Sequence, residues 1–237
     1  NSADWSGDLV SYNTDATTGA PSSVAWHAGT VLNTQDYNTG RNIVTYKPST
    51  GTGIPFRWPV NPASPGATEL DISQSTALNT NISNVNDGAG QNRLDFIRGR
   101  TGIAGFRART LSVLGDLVDS APVYVGAPAF NYPNWLEAAS YSTFITANAA
   151  RAPVIYAGAN DGMLHGFDAS TGQEKIAYVP SGVYTNLSKL TAPTYSHRYF
   201  VDGTPTAVDT FYDGAWHTTL VSSLGAGGQS VFALDVT

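Results

Sequence analysis

The stretch Tyr156-Ala-Gly-Ala-Asn-Asp-Gly-Met-Leu-His-Gly-Phe-Asp-Ala-Ser-Thr-Gly172 contains the pattern that decides the fold class. Its Asp161-Gly162 pair is a tight-turn signal, because glycine adopts a positive φ without steric cost. A second turn signal follows at Asp168–Gly172, where the aspartate can accept hydrogen bonds from the backbone ahead of it. Between the turns, Leu164 and Phe167 are expected on a strand that faces a core. With its flanks, the stretch predicts three antiparallel strands: Val154–Gly158, Met163–Asp168 and Lys175–Val179.

The same pattern occurs twice more along the chain. One copy is Trp5–Asn13, which continues into Thr18-Gly19, and the other is Gly228–Thr237. Each copy has a polar turn with glycine, then alternating apolar positions, then an aromatic residue or leucine followed by Asp or Asn. We therefore expect Phe167 and Leu234 to occupy equivalent core positions in neighbouring repeat units.

A second repeated element precedes the last two copies. It is Asp119-Ser-Ala-Pro122 in one unit and Asp202-Gly-Thr-Pro205 in the next. Proline is tolerated near a strand start because its missing N–H is not needed there. Sheets of four antiparallel strands, repeated in one order along the chain, are typical of β-propellers. The predicted fold class is therefore all-β, with antiparallel propeller blades, and residues 1–237 are expected to form one partial propeller domain.

The composition agrees with an all-β fold. Of the 237 residues, 41% are apolar and only 13% are charged, and the chain contains 24 Gly and 13 Pro. Many short strands joined by tight turns produce this profile. We expect more than about a third of the residues in strands, above the usual share of about 20–25%.

Two irregular insertions interrupt the repeats. The larger one covers about residues 33–110 and contains a strand-like run at Ile43–Tyr46. Within it, Ser64-Pro65 is expected to open a short helix, with serine as the cap and proline at the first position. Arg93–Ile97 is expected to form either a helical turn or a strand. The second insertion, residues 131–151, is expected to form a loop with a partial helix folded over the blade.

The charge distribution excludes several classes of partner and site. The net charge is −6, and the only concentration of basic residues is Arg98, Arg100, Arg107 and Arg109. We expect these arginines in a solvated turn or in pairs with internal carboxylates. Nucleic acid is not an expected partner, because phosphate binding needs a basic face. The lack of cysteine excludes disulfides and zinc–thiolate sites, and no apolar run is long enough to cross a membrane.

Two loops carry oxygen ligands in an order that metals can use. Asn84–Asn92 alternates Asn and Asp before a glycine, as calcium loops do. Its twelfth position is Asp95 instead of the glutamate that a calcium loop places there, so a plain Asx/Gly turn is favoured. Asn160-Asp161-Gly162 is likewise explained by turn geometry. We assign no metal ligand in either loop.

The histidines do not form a catalytic or metal-binding pattern. His27, His165, His197 and His217 lack the close spacing of metal ligands. His165 and His217 lie in alternating runs and are expected to be satisfied sheet residues. The chain contains no Gly-x-Ser-x-Gly, no Gly-Lys-Ser/Thr loop and no His-Glu-x-x-His. We therefore predict no catalytic residues, no cofactor-binding residues and no enzymatic activity.

Several ordered motifs resemble the PilC/PilY family of type IV pilus proteins. Together they cover most of the chain, and their combination is specific although no single motif is. The segments that carry the resemblance are Asp4–Leu9, Gly53–Trp58, Leu94–Gly99, Phe106–Arg109, Leu114–Pro128 and Tyr156–Gly172.

The resemblance implies a modified β-propeller from the C-terminal half of a large exported protein. Such proteins pass through the periplasm and lie at the pilus tip or on the outer membrane of Gram-negative bacteria. The implied role is non-enzymatic and comprises pilus assembly, retraction control, adhesion and twitching motility. The implied partners are minor pilins, the pilus-tip complex and host or abiotic surfaces.

The resemblance also bears on calcium and on the extent of the domain. Many full-length members bind calcium through an acidic Asp-x-Asp-x-Asp-Gly loop, which does not appear in this chain, so we expect no cofactor here. The chain stops at Thr237, where the repeat predicts another strand. We therefore expect an incomplete propeller with an unpaired strand edge, prone to self-association when isolated.

Two alternative functions stay open. The repeat unit is also similar to that of pyrroloquinoline-quinone propellers, so a quinone-dependent dehydrogenase is the enzymatic alternative. Quinone absorbance would separate it from the pilus role. A lectin-like propeller that binds carbohydrate or protein would suit the Trp, Tyr and Asn residues at 131–141, although aromatic side chains more often serve a core.

Overall fold

The computed structural model describes residues 4–237 and is built mainly of short strands. Strands account for 28% of the residues and helices for 18%. The share of residues in strands is lower than the third that the sequence predicted, because the larger insertion forms helices. The bounds of the strands in the described residues are β1 Val10–Thr14, β2 Pro21–His27, β3 Ile43–Lys47, β4 Thr52–Pro55, β5 Val123–Val125, β6 Val154–Gly158, β7 Leu164–Asp168, β8 Glu174–Val179, β9 Thr206–Tyr212, β10 Ala215–Ser223 and β11 Val231–Asp235.

The helices are short and lie mostly in the connections between strands. Turns of 3-10 helix flank the last of them at Ser181–Val183 and Ser188–Thr191, and another lies at Gly225–Gly227. The bounds of the α-helices are α1 Ala28–Leu32, α2 Ile72–Asn79, α3 Gly90–Arg98, α4 Tyr141–Ala147 and α5 Tyr184–Leu187.

Strands β5, β6, β7 and β8 form a complete four-stranded antiparallel blade in chain order. β6, β7 and β8 match the predicted strands to within one residue. Gly162 has φ 98° in the turn before β7, a positive φ that glycine adopts without steric cost. β5 follows Pro122 directly, as the Asp-x-x-Pro motif predicted.

The three sequence repeats form the third strands of three successive blades: β1, β7 and β11. Each strand leads into a turn in which an aspartate Oδ1 accepts a hydrogen bond from the backbone N–H two residues later. These aspartates are Asp15, Asp168 and Asp235. The first turn begins at Asp15 instead of at Asn13, the repeat equivalent of Asp168, and register shifts within β1 accommodate the extra residues.

The described strands therefore contain parts of three blades. β1 and β2 are the last two strands of one blade, β5–β8 are a whole blade, and β9–β11 are the first three strands of the next. The sheets do not close into a ring, which confirms the expected incomplete propeller.

The register of the sheets makes Phe167 and Leu234 equivalent, as predicted. Phe167 pairs with Ile155 on the neighbouring strand, and Leu234 pairs with Leu220 in the same way. Their burial differs. Phe167 is fully buried, whereas Leu234 is partly buried on the outermost strand of the third blade. The equivalence thus holds for strand pairing but not for burial.

Strand β7 is buried on both faces, so Leu164 and Phe167 lie on a core-facing strand, as predicted, but pack in two different clusters. Leu164 packs in a cluster with Tyr178 and the side chains of β11, while Phe167 packs against Trp26 and its neighbours on the other side. Successive side chains of a strand point to opposite faces, and a blade in the middle of a stack has a neighbour on each face.

The larger insertion extends the complete blade at its outer edge. β3, the predicted Ile43–Tyr46 run, pairs in parallel with β8, and β4 pairs with β3. Arg93–Ile97, left open between helix and strand, lies within helix α3. The smaller insertion contains helix α4, in agreement with its predicted partial helix.

The predicted helix start at Ser64-Pro65 is wrong. Helix α2 begins at Ile72, where the Asp71 N–H donates to Gln74 Oε1 at 2.9 Å. The Glu69 carboxylate instead accepts backbone N–H groups of the preceding segment, including that of Gly66 at 2.7 Å. These bonds hold the segment in turns and delay the helix.

Candidate functional site

The arginine group is mostly internal, which corrects the predicted solvated turn. Only Arg100 forms a carboxylate pair, with Asp95 at 3.3 Å. Arg98, Arg107 and Arg109 instead donate to backbone carbonyls, and of these three only Arg107 reaches the segment between β8 and β9. Their acceptors include the carbonyl oxygens of Phe56, Leu190 and Phe96, respectively.

A buried network of four charged side chains lies beneath the turn before β7. His165 Nε2 lies 3.1 Å from both carboxylate oxygens of Asp161, and its Nδ1 lies 2.7 Å from Glu174 Oε1. Arg41 binds Glu174 through Nε and Nη2, at 2.6 and 2.7 Å. All four side chains are buried. The network gives both ring nitrogens of His165 a hydrogen-bond partner, as predicted. It also joins Arg41, near the start of the insertion, to the complete blade.

The electrostatics of this network favour its ionised form. Burial alone would raise the pKa of Glu174, but Arg41 and His165 outweigh it and lower the pKa to about 2. Burial alone would lower the pKa of His165, but Asp161 and Glu174 raise it to about 9. Two positive and two negative charges therefore compensate one another within the core.

The predicted Asx/Gly turn at Asn84–Asn92 agrees with the structure. Asp87 Oδ1 and Oδ2 accept from the Arg93 guanidinium at 2.7 and 2.5 Å, and Asn86 Oδ1 accepts from the Gly88 N–H. The one carboxylate at the centre of this loop is thus engaged by an arginine, which does not fit a calcium ligand set.

The two Asp-x-x-Pro motifs lie side by side and join consecutive blades. The Asp119 N–H donates to Asp202 Oδ1 at 3.1 Å, and the Ala121 N–H donates to Thr204 Oγ1 at 3.0 Å. Asp202 is 2% exposed, and its Oδ2 has no hydrogen-bond partner. Burial, partly offset by the Asp119 N–H, raises the pKa of Asp202, and the neighbouring Asp119 carboxyl raises it further.

We expect Asp202→Asn to stabilise the chain at neutral pH, by about 1 kcal/mol. A raised pKa means that the folded state holds the Asp202 proton more tightly than the unfolded chain does. Stability then falls as the pH rises above the usual value of 3.8 through the folded-state pKa. The asparagine cannot ionise and can donate to Asp119. Urea unfolding of both proteins between about pH 5 and pH 8 measures the difference. A stability difference between the two proteins that shrinks with rising pH would contradict this prediction.

A polar pocket of about 390 Å³ lies where residues 6–8 and 29–30 meet residues 111–117, which precede β5. Asp8 Oδ1 accepts from the Gly29 N–H at 2.9 Å, and Asp8 Oδ2 lies 2.6 Å from His27 Nδ1. Asp116 is buried at the other side of the lining. The lining is completed by a set of small polar and leucine residues: Ser6, Gly7, Thr30, Leu111, Ser112 and Leu117.

The Asp116 carboxylate is only half used by the protein. Its Oδ2 lies 2.7 Å from His197 Nε2 and accepts from Asn160 Nδ2 at 3.0 Å. The Trp5 ring packs on His197 with a centroid distance of 4.3 Å. The other carboxylate oxygen of Asp116, Oδ1, receives no hydrogen bond from any residue in the range 4–237.

The smaller insertion and the residue before it present an aromatic tip, which we define as Phe130, Trp135 and Leu136. Trp135 is 82% exposed, and the other two are also exposed. The base of the tip is well packed, because Tyr132 stacks on Trp216 at 5.1 Å. An exposed tryptophan on an ordered base is typical of a binding surface.

Sequence reasoning missed Asp8, Asp116 and Asp202 as functional or linking residues. Asp202 had a signal, because the motif that contains it is repeated at Asp119. Asp8 and Asp116 lie in two of the family motifs, but no spacing connects them, since they are brought together only by folding.

The blade architecture and the pocket at the seam between blades define the class of protein: an open β-propeller with polar surfaces where blades meet. A family model described as the PilY1 beta-propeller domain matches residues 114–237. The chain belongs to the PilY1 β-propeller family, which confirms the resemblance to PilC/PilY proteins.

Relatives of known name agree with this family. The chain is 42% identical over 240 residues to type IV pilus biogenesis factor PilY1 of Pseudomonas aeruginosa strain UCBPP-PA14, covering 98% of this chain and 20% of that protein. It is 36% identical to a PilY1 homolog of Xylella fastidiosa strain Temecula1, covering 100% of this chain and 18% of that protein. The chain thus spans about a fifth of the length of these relatives.

A solved structure is also similar in sequence. The crystal structure of the Pseudomonas aeruginosa PilY1 C-terminal domain is 45% identical, covers 48% of this chain and 22% of that chain, and superposes with a TM-score of 0.39.

Proposed function

We propose that this chain acts, as part of a longer protein, in type IV pilus biogenesis through surface contacts and without catalysis. The observation that carries the proposal is the similarity, over nearly the whole chain, to proteins named type IV pilus biogenesis factor PilY1. The partners we propose are minor pilins, the pilus-tip complex and host or abiotic surfaces. The proposed place is the pilus tip at the cell surface, with association to the outer membrane.

Two surfaces of the described chain suit such contacts. The aromatic tip offers apolar anchors on a packed base, and the polar pocket offers hydrogen-bonding groups at a blade seam. Interfaces take most of their binding energy from a few buried anchors, in which tryptophan is enriched. None of the helices in residues 4–237 is long and apolar enough to span a bilayer.

The test replaces the anchors of the aromatic tip in the full-length protein in its bacterial host. We expect Trp135→Ser combined with Leu136→Ser to reduce surface pili and twitching motility, because a partner loses its anchors. The matched control is Val60→Ser, a still more exposed apolar residue, at 94% exposure, outside the tip. Surface pili are measured in sheared fractions, with the level of exported protein measured in parallel.

Normal piliation and motility of the tip variant, together with normal behaviour of a strain lacking the whole protein, would refute the pilus role. Normal behaviour of the tip variant alone would refute only this surface as the contact.

The enzymatic alternative predicts a bound quinone. We expect the purified protein, after addition of pyrroloquinoline quinone and calcium and then gel filtration, to show no quinone absorbance. We also expect no dye-linked alcohol oxidation above buffer. A stoichiometric quinone spectrum in the protein peak would instead support the dehydrogenase.

A further inference from the structure

A second pocket, which we call the aromatic pocket, lies at the seam between the complete blade and the third blade. It has a volume of about 220 Å³ and is formed by residues 124–130 and Arg151 together with residues 207–209 and Thr218. β5 and β9, which both contribute to it, are the first strands of consecutive blades. Pockets for drug-sized ligands measure about 300–1,000 Å³, so this smaller pocket suits a single ring-sized group.

Two exposed aromatic rings flank the aromatic pocket, and both are held in place. Tyr124 is 64% exposed and Phe130 is 44% exposed. A Cβ atom on Gly126 would lie 2.8 Å from Tyr124 Cε1, so the phenol ring lies directly against the glycine backbone. The Phe130 ring stacks on Tyr132 with a centroid distance of 5.6 Å, and Tyr132 in turn belongs to the packed base of the aromatic tip. Such rings offer apolar faces to a ligand at little cost in conformational entropy.

The polar part of the aromatic pocket is a chain of hydrogen bonds that joins a carboxylate to a guanidinium. Asp209 is 4% exposed, and its Oδ2 accepts from the Tyr141 hydroxyl at 2.5 Å. Asp209 Oδ1 accepts from the Thr218 hydroxyl at 2.6 Å. The Thr218 oxygen then accepts from Arg151 Nη1 at 2.8 Å. These bonds fix the carboxylate and the guanidinium as neighbours in one pocket.

Arg151 has hydrogen-bonding capacity that the described residues do not use. Its Nε and Nη2 both donate to the Gly126 carbonyl oxygen. With the bond to Thr218, three of its N–H groups are engaged, which is fewer than a guanidinium carries. None of the ion pairs within residues 4–237 includes Arg151. The pocket therefore presents free donors next to the acceptor oxygens of Asp209.

This combination favours a neutral sugar ring over a charged ligand. A pyranose has C–H faces that pack on aromatic rings, and each of its hydroxyl groups both donates and accepts hydrogen bonds. A ligand carboxylate would pair with Arg151 but would lie close to the negative charge of Asp209, and an ammonium group would lie close to Arg151. An uncharged ligand with several hydroxyl groups uses both side chains and brings a like charge to neither.

We propose that the aromatic pocket binds a neutral pyranose ring of a carbohydrate. One face of the ring packs on Tyr124 and Phe130, and neighbouring hydroxyl groups accept from Arg151 and donate to Asp209. This inference rests on the proposed function as a contact surface, and it names the chemistry of one contact.

The experiment uses the purified full-length protein and follows saturation transfer from it to small glycosides by NMR. The probes are the methyl glycosides of β-D-galactopyranose, β-D-glucopyranose and α-D-mannopyranose. The matched control compound is tetrahydropyran-2-methanol, which keeps the ring and lacks the ring hydroxyl groups. We expect at least one glycoside to bind with a dissociation constant on the order of millimolar. The control compound should bind at least about tenfold more weakly.

Tyr124→Ala should weaken glycoside binding by at least about fivefold, because the sugar loses one of its aromatic faces. Tyr124→Phe keeps the ring and should retain binding. The matched control variant is Tyr12→Ala, which removes a 53% exposed tyrosine from another blade and should leave binding unchanged. If Tyr124→Ala lowers the amount of folded protein, Phe130→Ala serves as the second variant and should also weaken binding.

Absence of saturation transfer to all three glycosides would overturn the proposal. So would equal binding of the control compound, or glycoside binding that neither Tyr124→Ala nor Phe130→Ala weakens. Tighter binding of methyl β-D-glucuronide than of the neutral glycosides would also overturn it, because that result indicates a site for an anion. Since these measurements use purified protein, a failure here leaves the pilus role to be judged by piliation alone.

Discussion

Replacing Phe167 by alanine is expected to lower the free energy of unfolding by about 3–5 kcal/mol. Phe167 is 0% exposed and lies in a cluster with Trp26, Leu32 and Leu114. These neighbours come from other segments of the chain, so the ring joins the complete blade to the N-terminal strands. Removal of the ring leaves a cavity that the blade seam cannot fill without moving whole strands.

Urea unfolding followed by tryptophan fluorescence measures this loss, because Trp26 belongs to the same cluster. Phe130→Ala is the matched control, since the same substitution at an exposed ring should cost less than about 1 kcal/mol. A cost below about 1 kcal/mol for Phe167→Ala as well would show that the ring is exposed and that the register of β7 is wrong.

Replacing Glu174 by glutamine is expected to cost about 3–5 kcal/mol, because it leaves buried charges without their partner. The Glu174 side chain is fully buried and is shared by Arg41 and His165. Glutamine keeps the shape of the side chain but removes its charge. Arg41 and His165 would then retain two positive charges against Asp161 alone.

The pH dependence of stability provides a second readout of this network. The pKa of Glu174 is lowered from 4.5 to about 2, so its contribution is present above pH 4.5 and is lost as the pH falls toward about 2. The pKa of His165 is raised from 6.5 to about 9, so its contribution is present below pH 6.5 and is lost as the pH rises through about 9. Glu174→Gln should therefore flatten the acid side of the stability profile.

The matched control for this variant is Glu137→Gln, the same substitution at an exposed position of the smaller insertion. It should change the free energy of unfolding by less than about 0.5 kcal/mol. Equal stability of the two variants, or an unchanged acid side in Glu174→Gln, would show that the buried network is not ionised.

The local elements of the blades could be predicted because they depend on short-range preferences. Asp161-Gly162 required a tight turn, and the Asp168–Gly172 segment required a second one, so the strand between them was determined within narrow limits. The helix start was predicted wrongly because Glu69 binds backbone groups of the preceding segment, a contact that capping preferences do not describe.

The burial of individual side chains was less predictable than the strands that carry them. Alternation placed Leu164 and Phe167 on β7, but it did not show that both faces of this strand are covered. A side chain is buried when another blade or insertion lies against it, and that neighbour is distant in sequence.

The amino-acid sequence by itself determined the turns, the order of strands within a blade and the family, because repeated turn residues and ordered motifs act over short distances along the chain. The tertiary structure decided which charges meet. Arg41 reaches Glu174 across 133 residues, and Asp116 reaches His197 across 81. Such contacts depend on how blades and insertion pack, since a charge is buried only where folding supplies a partner.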